Sequence, residues 1–195
     1  MGILFGHERS PEASASAARL RLGLITTNAL ASPIAGFGLD FDALVASVQR
    51  GDEGAIAAYI RSSGDADAKD ADGKTLLLHA AEEGQVGIAK ILLAAGADVE
   101  AQAKWGTVPL IAAAFSGDTA IVELLIEAGA NVNAADDDGM TALMWAAYLN
   151  RPSTASWLLS VRADPRAKDN KGDTALVIAE KDSSREAAQA LQSFK

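Results

Sequence analysis

One spacing constrains this chain more than any other feature: like residues recur every 33 positions. Gly73, Gly106, Gly139 and Gly172 keep that interval. So do Leu77, Leu110, Leu143 and Leu176, and Leu44 extends the series backwards. Gly51, Gly84 and Gly117 form another column, continued by Asn150 and Ser183. Leu92, Leu125, Leu158 and Leu191 form a fourth, with Tyr59 as its N-terminal member. From Asp40 to the C-terminus the register needs no gap. A period of this length implies stacked supersecondary units, each unable to bury its own apolar face alone.

The units read alike in physical terms. A Gly near the start suits a turn with positive φ. Thr75, Thr141 and Thr174 stand where a helix N-cap hydroxyl is expected. A short apolar helix follows, as in Leu76-Leu77-Leu78-His79-Ala80-Ala81, and Gly84 or Gly117 ends it. A second helix carries Ile88, Ile91 and Leu92, or Ile121, Leu124 and Leu125, at helical spacing. Gly96 and Gly129 stop that helix, and a short link leads into the next turn.

The strings Gly73-Lys74-Thr75-Leu76-Leu77, Val108-Pro109-Leu110 and Gly139-Met140-Thr141-Ala142-Leu143 resemble the ankyrin repeat family. The runs Leu92-Leu93-Ala94-Ala95-Gly96-Ala97-Asp98-Val99 and Leu125-Ile126-Glu127-Ala128-Gly129-Ala130-Asn131-Val132-Asn133 resemble its second-helix ending still more closely. The resemblance covers residues 40–195. It implies an all-α repeat solenoid of stacked helix-turn-helix units with short inter-repeat β-hairpin loops, divided as 40–72, 73–105, 106–138, 139–171 and a truncated 172–195. One departure is regular. The family's His after Pro-Leu is absent, its positions being filled by Val45, Leu78, Ile111, Met144 and Val177. The turn-stabilising hydrogen bonds associated with that His are therefore in question. His79 falls one residue later, in the column of Ala46, Ala112, Trp145 and Ile178, and reads as a partly buried structural histidine rather than a ligand. The last unit and the first have polar helix junctions suited to capping the array.

Residues 1–39 stand outside the repeat and are rich in Ala, Ser and Gly. Three readings are open for them: a flexible or loosely docked extension, a helix at Leu20 to Leu30 covering the first unit, and an export signal. The last rests on Arg19 and Arg21 before Leu22-Gly23-Leu24-Ile25, followed by the small-residue run Ala29-Leu30-Ala31. It would make the chain periplasmic or secreted, where the simpler expectation is cytoplasmic.

Composition narrows function. Hydrophobic residues make up 49% of the chain but aromatics only 5%, which suits closely packed small-residue helices. The formal net charge is −9, and from Asp40 onward 14 basic residues face 24 acidic ones. That field disfavours nucleic acid and anionic membranes. With no cysteine, disulfide and thiolate metal sites are excluded. No Gly-x-Ser-x-Gly, P-loop or His-Glu-x-x-His motif occurs, and two histidines leave little for a triad. Asp65, Asp67, Asp70 and Asp72 do not form an EF-hand, because Lys69, Asp70 and Leu76 occupy positions that such a loop reserves for other residues. These acids, like Asp136, Asp137 and Asp138, read as solvated hairpin charges. No enzyme, metal or cofactor is expected.

The expected function is therefore binding of another protein, as a small adaptor or regulator. Resemblance implies that partners meet the hairpin tips and exposed first-helix ends along a concave face. Mapped by register, the tips are Asp72, Trp105, Asp138 and Lys171. The helix ends include Glu82, Phe115, Tyr148 and Leu149. Trp105, Phe115, Tyr148 and Leu149 could form one apolar patch across adjacent units, with acids at its rim favouring a basic partner. The competing reading lays some of these rings against neighbouring repeats. Trp145 and Trp157 share columns with Ala112 and Ile178, and with Ile91 and Leu124, and read as core.

Overall fold

The computed structural model describes residues 40–193. The expectations for residues 1–39 lie outside the described residues. Helices come in pairs, each started by a local signal. Asp40 caps α1 (Phe41–Gln49) by accepting the Ala43 N–H at 2.8 Å, and Asp52 caps α2 (Glu53–Arg61) through the Ala55 N–H at 3.0 Å. Thr75 caps α3 (Leu76–Glu82), Thr141 caps α7 (Ala142–Tyr148) and Thr174 caps α9 (Ala175–Lys181), each hydroxyl accepting the N–H three residues on. Asp118 caps α6 (Thr119–Glu127). Proline at the first position starts α5 (Pro109–Ser116) and α8 (Pro152–Ser160), where the missing N–H leaves nothing unsatisfied. The remaining second helices are α4 (Val86–Ala94) and α10 (Arg185–Ser193).

The odd-numbered helices pack in one row and the even-numbered ones in a second row behind it. Each first helix in the middle of the array lies between two others and its own second helix, so it is buried nearly all round. Leu76 to Ala81, Pro109 to Ala114 and Ala142 to Ala147 are all buried. Seven or eight residues suffice because alanines such as Ala80, Ala113 and Ala146 let neighbouring backbones approach. The end helices bury less: α9 buries only Ala175, Ile178 and Ala179.

The repeat register also appears as a backbone pattern. Gly51, Gly84 and Gly117 have φ of 70°, 66° and 84°, and Asn150 and Ser183 continue the column at 53° and 58°. After the second helices, Ser63 and Arg162 take the same left-handed state as Gly96 and Gly129. The turn geometry is thus a property of the stack, held even where a side chain makes it cost about 1 kcal/mol. Among the described residues there are ten α-helices and no strand. The β character of the hairpins is limited to isolated bridges at Lys69–Thr75 and Ala135–Thr141.

Candidate protein-binding face

Three of the hairpins that precede the first helices are built on one carboxylate each. Asp70 Oδ1 accepts the N–H groups of Asp72 at 2.8 Å and Lys74 at 2.9 Å. Asp136 does the same with Asp138 and Met140, and Asp169 with Lys171 and Asp173. Such a side chain mimics the backbone of the turn it closes. A second contact ties two of these turns to their helix. His79 Nε2 lies 3.0 Å from Asp70 Oδ2, and Trp145 Nε1 donates to Asp136 Oδ2 at 2.9 Å. The turn-to-helix bonds placed in question by the missing family histidine are therefore made in these two units. The donor comes one residue later, nine positions after the carboxylate.

The two donors differ electrically. Burial would push the Asp70 carboxyl up, but the bonds from His79, Lys74 and Asp72 outweigh it and hold the group below its ordinary value. Asp136 is raised: burial dominates, and the neutral indole N–H with two backbone N–H groups offsets it only in part. An indole cannot supply charge, whereas an imidazole can when protonated.

The hairpin at 103–107 is built differently. Ala103 stands in the Asp70, Asp136 and Asp169 column, and Ala112 stands where His79 and Trp145 do, so both halves of the clamp are missing together. The tip turns instead through a short 3₁₀ segment, Lys104–Gly106, with Trp105 at φ 61°, ψ 24°. Two neighbours hold it in place. Lys104 N–H donates to the Asp72 carbonyl at 2.9 Å, and Asp137 N–H donates to the Trp105 carbonyl at 3.0 Å. The Trp105 side of the tip is left outward: at 42% exposure it is the exposed large hydrophobic residue of the described chain.

A further pair of columns runs along the array. Lys74 and Glu82 form an ion pair at 2.6 Å, with side chains only 7% and 10% exposed. Asp173 and Lys181 form the reversed pair at 2.5 Å. The same register places Thr107 with Phe115 and Met140 with Tyr148 in the two units between. The middle of the array thus carries rings where its flanks carry ion pairs. Phe115 and Tyr148 are both half-buried. They meet the buried Trp145 from either side, edge-on, at ring-centroid distances of 5.7 Å and 5.8 Å.

The residues mapped to the face from the sequence therefore divide. Trp105 and Asp138 are exposed at adjacent tips, with Lys171 exposed at the next. Asp72 is half-buried and paired with Lys104. Glu82 turns its carboxylate inward: one oxygen binds Lys74, and the other lies 3.8 Å from His79 Nδ1, buried without a hydrogen-bond partner among the described residues. Phe115, Tyr148 and Leu149 are half-buried against the core. Of the tryptophans read as core, Trp145 is buried and Trp157 is half-buried. The sequence reading missed the double role of Trp145, core residue and turn donor. Its recurrence at the same offset from an Asp as His79 was the available signal.

At the opposite ends of the second helices, side chains join unit to unit. Asp67 accepts the Asp98 N–H at 2.8 Å, Glu100 accepts that of Asn131 at 2.7 Å, and Asn133 accepts that of Asp164 at 2.8 Å. Among the described residues no group of His, Asp or Glu could hold a metal ion, and no helix is long and apolar enough to cross a membrane.

Paired short helices in two rows, joined by hairpins, define a helical repeat scaffold. The sequence model for ankyrin repeats (3 copies) matches residues 43–136, 88–169 and 110–193, and the chain belongs to the ankyrin-repeat family. No curated protein matches the chain in sequence. Ankyrin repeats mediate protein–protein interaction and are typically non-catalytic.

Proposed function

We propose that this chain is a small adaptor or regulator that captures another protein on the face formed by its hairpin tips and first helices. The observation that carries the reading is Trp105. It is exposed at a tip, in a backbone state that bulky residues rarely occupy, in the one hairpin of its kind that lacks the Asp clamp. Exposed aromatic side chains are the usual anchors of protein interfaces. The half-buried rings of Phe115 and Tyr148, with Leu149, extend the apolar surface across the two middle units. Asp72 and Asp138 at the neighbouring tips and Lys171 beyond them rim it, with acids in excess over the array as a whole. A partner with a basic surface fits that field.

Affinity capture from the native cell, comparing wild type with Trp105→Ala, tests this. The substitution is clean because the side chain it removes is exposed. Phe115 and Tyr148 are unsuited to a first test, since both rings support Trp145. Loss of the captured partner, by about tenfold or more for an interface anchor, is expected at unchanged unfolding midpoint. Equal recovery by both proteins would reject the face.

A further inference from the structure

Resting on that reading, we infer that the Trp105 tip recognises an arginine side chain carried on an extended basic segment of the partner, the guanidinium lying on the indole and bonded to the Asp137 carboxylate. The tip is not a loosely held loop. Its backbone is fixed by the Lys104 N–H to the Asp72 carbonyl, the Asp137 N–H to the Trp105 carbonyl at 3.0 Å, and the Ala103 N–H to the Thr107 carbonyl at 3.0 Å. A left-handed residue flanked by such bonds is normally Gly, Asn or Asp. Here it is the largest side chain available, pointed at solvent, and strain of that kind persists where surrounding contacts over-determine it.

What lies against the tip glycine distinguishes this tip from its neighbours. At the three inner tips the following unit lies against the tip glycine. Gly73 meets the backbone of Ala103 and Lys104, and Gly139 meets Asn170 Oδ1. Gly106, next to Trp105, instead meets Asp137: a Cβ there would lie 2.7 Å from Asp137 Oδ1. Asp137 is exposed, and its carboxylate has no hydrogen-bond or ion-pair partner among the described residues. An exposed indole on a tip whose glycine lies against an unengaged carboxylate, on an acidic array, presents two complementary surfaces to a planar cation. Guanidinium stacks on an aromatic face and bonds a carboxylate in its own plane, whereas ammonium offers only a point charge. A methyl-ammonium cage would need several exposed rings, and among the described residues Trp105 is the exposed large hydrophobic side chain.

The test is panning of a random 12-residue peptide library on the full chain, counter-selected against Trp105→Gly. Glycine suits the left-handed position, so this variant keeps or raises the unfolding midpoint, whereas a structural role for the ring would lower it. Arginine-enriched peptides are expected. Replacing their arginine by citrulline, the uncharged isostere, should weaken binding about tenfold, as should Asp137→Asn, and lysine should substitute poorly. Affinity should fall with added salt. Trp105-dependent peptides without arginine, or indifferent to citrulline, would overturn the inference and leave the binding face standing. A failure to recover any peptide that prefers wild type over Trp105→Gly would overturn both.

Discussion

The hairpins that enter α7 and α5 occupy equivalent places in adjacent units and have been built for opposite ends. The one at 136–140 is clamped: Asp136 closes the turn and Trp145 ties it to the helix behind. The one at 103–107 has alanine at both clamp positions, and its tip rolls into a 3₁₀ turn that holds Trp105 outward. One tryptophan is 1% exposed and the other 42%. The difference teaches that the array's stability is distributed unevenly on purpose of geometry: internal bonds hold the flanking hairpins, while the central tip borrows its order from its neighbours and keeps its side chain for solvent. Ring packing follows the same division, since Phe115 and Tyr148 lean on the clamped unit through Trp145.

The comparison breaks most completely at Trp145. Trp145→Ala removes a buried ring, both edge-on contacts and the donor to Asp136. A loss of about 3–5 kcal/mol is expected from the emptied core alone, read as a shift in the urea midpoint. A loss under about 1 kcal/mol would mean that the clamp does not hold the unit. The inverse experiment is Ala103→Asp, which gives the open hairpin its missing acceptor. Two added turn bonds at about 0.5–1.5 kcal/mol each set the ceiling, and a net gain near 1 kcal/mol is expected, accompanied by weaker partner capture as the Trp105 tip is re-aimed. Unchanged capture would separate the tip's conformation from its function.

The smallest effect compares the two clamps by pH. Asp70 has its folded value below the unfolded one, so it contributes stability above the ordinary carboxylate range that is lost as pH falls through the folded value. Asp136 has its folded value above the unfolded one, so its contribution is greatest below the ordinary range and is lost as pH rises through the folded value. At neutral pH, Asp70→Asn should therefore destabilise more than Asp136→Asn. The gap should close as the solution is acidified toward pH about 3, around and below the usual carboxylate range. Equal effects at every pH would show that His79 and Trp145 serve their carboxylates identically.

Much of the architecture could be read in advance because a strict period makes local signals repeat. Thr75, Thr141 and Thr174 are caps in the structure as in the pattern, and Gly117 closes its helix in the left-handed state. The mapped face was legible only as a set of columns. Trp105 could be placed at a tip because its register neighbours Asp72 and Asp138 are tip residues. That Glu82 turns in to Lys74, while Asp137 stays outside, was not available from spacing. Asp137 belongs to a column of Ala71, Lys104 and Asn170 that carries no shared chemistry.

By itself the amino-acid order determined the helical repeat register and where the helices capped by Thr75, Thr141 and Thr174 begin. These depend on contacts within a few residues, and every unit restates them. Only the folded array decided which side chains face the solvent. Trp145 reaches back to a carboxylate nine residues earlier, Phe115 meets Trp145 of the following unit edge-on, and Trp105 is positioned by backbone bonds from the unit on each side. Those partners become neighbours only when units stack, because a single repeat has no second surface against which to sort its buried groups from its free ones.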